Sequence, residues 1–243
     1  MARLGAALVL VGLIGAPAHA EAVHVAVAAN FTAVAEQLAP LFTAKTGHGV
    51  TYSFGATGLL YTQIRQGAPF EILLAADEER PARAVAEGLG VAGSVFTYAI
   101  GALALYSTAR DVSDGAAVLG GAGFDKLAIA DPQSAPYGRA AIEAIAALGL
   151  SETIMPRLVT GENITQTLQF IETGNAELGF VAASQVTGKT GVWIVPADLH
   201  APIRQDAVLL KAGEANPAAT AFLDFLRSET AIAVIESAGY RVD

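Results

Sequence analysis

The chain of 243 residues has no cysteine, which excludes disulfides, thiolate metal sites and cysteine nucleophiles and leaves it indifferent to an oxidising compartment. Charge is scarce as well: acidic and basic residues make up 15% of the sequence, and the balance is −9. An acidic field opposes nucleic acid and anionic membrane surfaces. No apolar run reaches the roughly 20 residues that span a bilayer. There is no G-x-S-x-G elbow and no P-loop, so nucleophilic hydrolysis and nucleotide binding have no motif behind them. His24, His48 and His200 lack the spacing of a metal cluster. No Gly/Ser-rich or Pro-rich linker, internal repeat or low-complexity tract divides the chain.

What is present begins with a leader. Arg3, an apolar stretch from Leu4 to Ile14, and Ala18-His19-Ala20 make the three-part layout of a secretory signal. Residues 1–20 are expected to be removed by cleavage after Ala20, so that the mature chain starts at Glu21 in the periplasm. Losing Arg3 makes the mature chain one unit more negative. Hydrophobic residues are 53% of the sequence, ample for a large core.

Strand-like and helix-like stretches alternate. Val23–Val27, Val50–Phe54 and Ile72–Ala76 read as strands; the first leads into a helix that Asn30 or Thr32 can cap and Gly47 closes, with Val34, Leu38, Leu41 and Phe42 as its apolar face, and the others into helices over Leu59–Gln66 and Glu79–Glu87. Pro40 should kink or restart the first helix. After a longer β-like run, Ala99–Tyr106, the alternation resumes. Leu127–Ala130 precedes a helix over Arg139–Leu148, Leu158–Thr160 precedes Ile164–Glu172, and Leu178–Val181 precedes a short helix near Ser184. Val192–Val195 and Ile203–Leu210 read as strands, and Pro217–Leu226 and Glu229–Ala238 as helices. The fold class is therefore α/β, with mostly parallel sheets flanked by helices. Two lobes are expected, residues 21–101 with 205–243 and residues 102–204, joined by two crossings near Ala99–Tyr106 and Pro202–Leu210.

Four strand-to-helix passages share a character: Ala28-Ala29-Asn30-Phe31, Gly55-Ala56-Thr57-Gly58, Pro136-Tyr137-Gly138 and Glu162-Asn163-Ile164. The first turn of a helix carries N–H groups without intrahelical partners, and the dipole makes that end partly positive. Several such ends aimed at one point hold an anion without Lys or Arg. In open α/β sheets ligands sit beyond the carboxyl ends of the strands, where these passages fall. Asn30 adds an amide and Thr57 a hydroxyl; the plainer alternative is that both are ordinary N-caps.

These residues resemble the periplasmic molybdate-binding proteins of ABC importers. The likeness runs through Val27–Thr32, Ser53–Leu59, Gly67–Phe70, Ala75–Asp77, Ala130–Pro132, Pro136–Gly138, Glu162–Ile164 and Leu178–Val181, in order and across essentially the whole mature chain. It implies a two-lobed, type II periplasmic-binding-protein fold that binds molybdate or tungstate between the lobes through neutral donors. It further implies that Asn30 donates through main chain and amide, Thr57 through hydroxyl and N–H, and Tyr137 and Ile164 through main-chain N–H; Ala29 and Gly58 are possible additions. Molybdenum would be held only as molybdate, with no direct metal ligation, no cofactor and no catalytic residue. The implied partners of this monomer are a membrane permease and its ATPase. Many family members have Ser at the position of Asn30, and those often have a ligand-binding Tyr where this chain has Ala182, so the Asn30 amide is expected to replace that donor.

The chemistry suits a donor-only cage, because molybdate and tungstate are dianions near neutral pH and accept at every oxygen. Phosphate usually keeps a proton there and would want an acceptor. Glu162 or Asp131 in contact would argue against molybdate; both are expected to be acids at helix starts. Asp77-Glu78-Glu79 is read as a solvated helix start, and Trp193, Tyr61 and Tyr106 as packing residues. A same-fold receptor for sulfate or an organic anion stays open, as does an exported enzyme with a general base at the site.

Overall fold

The computed structural model describes residues 21–242; the expected leader lies outside them. Along the chain, β1 (Ala22–Ala28) runs through a 3-10 turn (Ala29–Phe31) into α1 (Thr32–Thr46), β2 (Gly49–Gly55) into α2 (Thr57–Arg65), and β3 (Ile72–Leu74) into α3 (Glu79–Ala86). Next come β4 (Phe96–Gly101), β5 (Leu103–Tyr106), α4 (Gly115–Gly121), β6 (Leu127–Ala130), α5 (Pro136–Ala147) and α6 (Ser151–Ile154). The rest is β7 (Leu158–Gly161), α7 (Ile164–Glu172), β8 (Leu178–Ala182), β9 (Val192–Ile194), β10 (Ile203–Leu209), α8 (Pro217–Leu226) and α9 (Glu229–Ser237).

The strands form two five-stranded sheets, ordered β2-β1-β3-β10-β4 and β7-β6-β8-β5-β9. Strands β2, β1 and β3 are parallel, as are β7, β6 and β8. β10 and β5, the strands fed by the crossings, run against their neighbours. The sheets are therefore mixed, where mostly parallel ones were expected. The β-like run Ala99–Tyr106 is two strands: β4 ends at Gly101 in the first sheet, and β5 starts at Leu103 in the second.

Two cores follow from this. In the first, β1 and β3 pack with α1, α8 and α9, and Phe42 meets Phe222 edge-on at 5.1 Å. In the second, Leu105, Ile129, Ile145 and Phe180 are buried around α5 and the β6–β8–β5 strands. Each such side chain contributes about 1.5–3 kcal/mol by leaving water. Val34, Ala35, Leu38 and Phe42 form the buried face of α1. Leu41, expected on that face, is 38% exposed.

Pro40 neither breaks nor restarts α1, which continues to Thr46. It sits on the exposed side, where water can satisfy the carbonyl one turn earlier that loses its N–H partner. α4 and α6 were not anticipated. α4 is short and glycine-rich and depends on the Asp114 carboxylate, which accepts from Ala117 N–H at 3.0 Å. Two helices start earlier than the periodicity suggests: α2 at Thr57 and α5 at Pro136. Thr57 and Tyr137 are thus first-turn residues, which decides what their N–H groups face.

Candidate anion-binding site

One small pocket is lined by residues from all four passages, among them Ala29, Asn30, Thr57, Tyr137, Asn163 and Ile164. Two passages leave strands of the first sheet and two leave strands of the second. Its walls carry no Asp, Glu, Lys, Arg or His. Tyr137 is its one ionisable residue, and burial pushes that phenol well above the usual range, so it stays neutral.

The local sequence leaves main-chain donors open here. The residues capping the 3-10 turn, α2 and α5 are Ala28, Ala56 and Ala135, and none makes a side-chain cap. Alanine has no oxygen to take the N–H groups that a helix start exposes. Pro136 at the first position of α5 has no N–H, so the Tyr137 N–H is the first that this helix offers. At α7 the Asn163 side chain caps Thr165 and Gln166 N–H at 3.0 Å each and leaves the preceding Ile164 N–H unclaimed.

Thr57 is 1% exposed, and its hydroxyl oxygen accepts from Ala76 N–H at 3.0 Å. With a lone pair so occupied, its proton is directed elsewhere, as a donor to an anion requires. Neither Thr57 nor Asn30 is an N-cap, so the plainer alternative for both fails. Asn30 nevertheless differs from expectation. Its amide nitrogen donates to Gln205 Oε1 and to Tyr240 Oη, both at 2.9 Å, so both amide hydrogens are committed away from a guest. What Asn30 offers the pocket is its main-chain N–H in the 3-10 turn. Gly58 differs as well, because its N–H donates to Ser134 O at 2.8 Å, joining the α2 turn to the loop before α5. A Cβ on Gly58 would stand 3.0 Å from both Ser134 Cα and O, so this close approach favours glycine, and a larger residue would push Ser134 back.

Ala182, at the end of β8, is fully buried and does not line the pocket. Asp131 turns its oxygens onto Gln133 N–H and Ser134 Oγ, and Glu162 is exposed; neither reaches the pocket. Asp77, Glu78 and Glu79 are not simply solvated: they pair with Arg80, Arg204 and Arg139 respectively. All of these but Arg80 line a larger neighbouring cleft, whose cations are already matched by carboxylates, so it offers an anion little. Among the described residues no group of His, Asp and Glu could hold a metal ion. Trp193 packs over Gly115, Tyr61 bonds Glu87 at 2.9 Å, and Tyr106 is buried, all packing roles as expected.

Two residues escaped the sequence reading. Gln205 and Tyr240, buried and remote in sequence from the passages, hold the Asn30 side chain. Tyr240 also donates to Asn30 O and accepts from Ser184 Oγ, each at 2.9 Å, and burial pushes its phenol up to about 12. No local pattern marks either residue.

Paired sheets whose helix starts meet at one neutral, donor-lined pocket define the two-lobed fold of periplasmic solute receptors. Comparison places the chain further: it belongs to the bacterial extracellular solute-binding proteins, which match residues 23–241. It is 56% identical to the Molybdate-binding protein ModA of Rhodobacter capsulatus, covering 98% of this chain and 96% of the relative. It is 52% identical to the protein of that name from Azotobacter vinelandii, over 94% and 93% of the two chains. The solved Azotobacter vinelandii periplasmic molybdate-binding protein superposes with a TM-score of 0.86 at 37% identity, covering 91% of this chain and 99% of that one.

Proposed function

We propose that the protein captures molybdate from the periplasm and delivers it to an ABC importer, and that it is a receptor with no catalytic step. The observation that carries this reading is the pocket: unclaimed helix-start donors from both sheets and the Thr57 hydroxyl, with no charged side chain. A dianion that accepts at every oxygen fits such a lining. A partly protonated anion would leave its proton unmatched, and a hydrolytic enzyme would lack a base.

In this reading the ligand set is Thr57 through hydroxyl and N–H, with the main-chain N–H groups of Asn30, Tyr137 and Ile164; Ala29 lies at the wall. Tungstate, of the same charge and shape, is the second ligand. The first sheet with residues 21–101 and 205–243, and the second with residues 102–204, act as two lobes, with Ile203 and Arg204 as the stem of the second crossing. The anion draws donors of both lobes together about these crossings, shifting the population toward a closed form. That form docks as a monomer on a membrane permease driven by an ATPase. Residues 1–20 direct export and are then removed by cleavage after Ala20.

Each hydrogen bond to a charged group contributes about 1.5–3 kcal/mol, and several reach sub-micromolar affinity, roughly −8 kcal/mol, against the desolvation cost. The test is calorimetric titration of the mature protein with molybdate, tungstate, sulfate and phosphate. Tight binding of the first two is expected, with Thr57→Ala weakening it at least about tenfold. Preference for phosphate, or a Thr57→Ala protein that binds as well as wild type, would overturn the reading.

A further inference from the structure

Beside the pocket lies a buried polar cluster whose centre, Gln205, has no part in the donor set. Its side chain is fully buried. Gln205 Oε1 accepts from Asn30 Nδ2 at 2.9 Å and from Tyr98 Oη at 3.2 Å, while its Nε2 donates to Tyr137 Oη at 3.2 Å. One amide therefore touches a residue in each of two passages, one from each sheet.

Three features of the backbone serve this placement. The pairing of β10 with β4 shifts register between Gln205 and Asp206, and such a bulge re-aims a side chain that regular alternation would send elsewhere. Gly101, at the end of β4, leaves the space: a Cβ there would overlap the Tyr137 hydroxyl and lie 2.7 Å from Gln205 Nε2. The single hydroxyl proton of Tyr98 is shared between Gln205 Oε1 and the nearer Ala75 O at 3.0 Å, which fixes the phenol beside the amide. A buried primary amide is costly unless its atoms are bonded, and here both ends are engaged.

We propose that Gln205 is a positioning residue of the anion site, tying the Asn30 turn of one sheet to the Tyr137 helix start of the other so that their main-chain donors stand in one register. It never touches the anion. Its bond to Tyr137 spans the two lobes and is made when they close, so its loss speeds release and leaves association unchanged. This rests on the reading of the pocket as an oxyanion site.

The test is a double-mutant cycle on molybdate affinity and dissociation rate, using Gln205→Met and Tyr137→Phe in the mature protein. Gln205→Met is expected to weaken binding about tenfold and Tyr137→Phe about threefold, with the double variant no weaker than Gln205→Met alone, since the Tyr137 bond is among the three that Gln205→Met already removes. General damage to packing would instead give additive losses. Additive losses, or undiminished affinity in Gln205→Met, overturn the proposal. If Gln205→Met does not fold, Tyr137→Phe decides alone: faster release supports the bond, an unchanged rate sinks it. Wild-type protein is titrated first, so a failure to bind molybdate there counts against the proposed function and is not confused with a failure of Gln205.

Discussion

Two pairs of helix starts in this protein contrast. α8 and α9, which pack against the first core, begin behind Asn216 and Ser228, whose side chains accept from first-turn N–H groups. α2 and α5, which begin at the pocket, stand behind Ala56 and Ala135 and receive nothing from them. The division is not absolute, since α7 also starts at the pocket yet has Asn163 as a cap that spares only Ile164 N–H, and α3 is uncapped away from it. In the proposed reading, the α2 and α5 starts keep the partial charge of the helix ends available to a dianion by omission of an oxygen, not by addition of a cation.

The largest effect should come from erasing that contrast. Ala56→Asp supplies the missing cap and a like charge at the wall. It is expected to cut molybdate affinity about 100-fold or more, ~2.7 kcal/mol by calorimetry, with no comparable loss of folding stability. Retained affinity would mean that the α2 start does not face the guest. A smaller effect is expected from Gly58→Ala, which leaves every donor in place and crowds Ser134 across the cleft. About tenfold weaker binding, seen as faster dissociation in stopped-flow measurements, is the expected result. The smallest effect sits on the other side of the comparison. Ser228→Ala removes the bond to Ala231 N–H and should cost about 1 kcal/mol in denaturant unfolding while molybdate affinity stays unchanged.

Much of this could be seen in the sequence because β-branched runs and helix-forming stretches alternate cleanly, and because the four passages carry small residues where strands end. That Thr57, Tyr137 and Ile164 lie where strands pass into helices was legible for that reason. The Asn30 amide was misjudged because its partners, Gln205 and Tyr240, lie 175 and 210 residues away in sequence. Gly58 was taken for a ligand donor because nothing nearby announces Ser134 as its acceptor. The bulge at Gln205 is a property of strand pairing, which one strand cannot express by itself. The alanines before α2 and α5 were readable all along, and their meaning lies in what they lack.

Those unfinished helix ends have a thermal consequence. Without a guest, the first N–H groups of α2 and α5 receive nothing from a capping side chain, so the empty receptor forgoes stability that its capped helices enjoy. A ligand that binds only the folded chain adds about 2.7 kcal/mol at 100 times its dissociation constant, worth several degrees of melting temperature in a chain of this size. The melting point of the intact protein therefore doubles as a gauge of oxyanion in its surroundings.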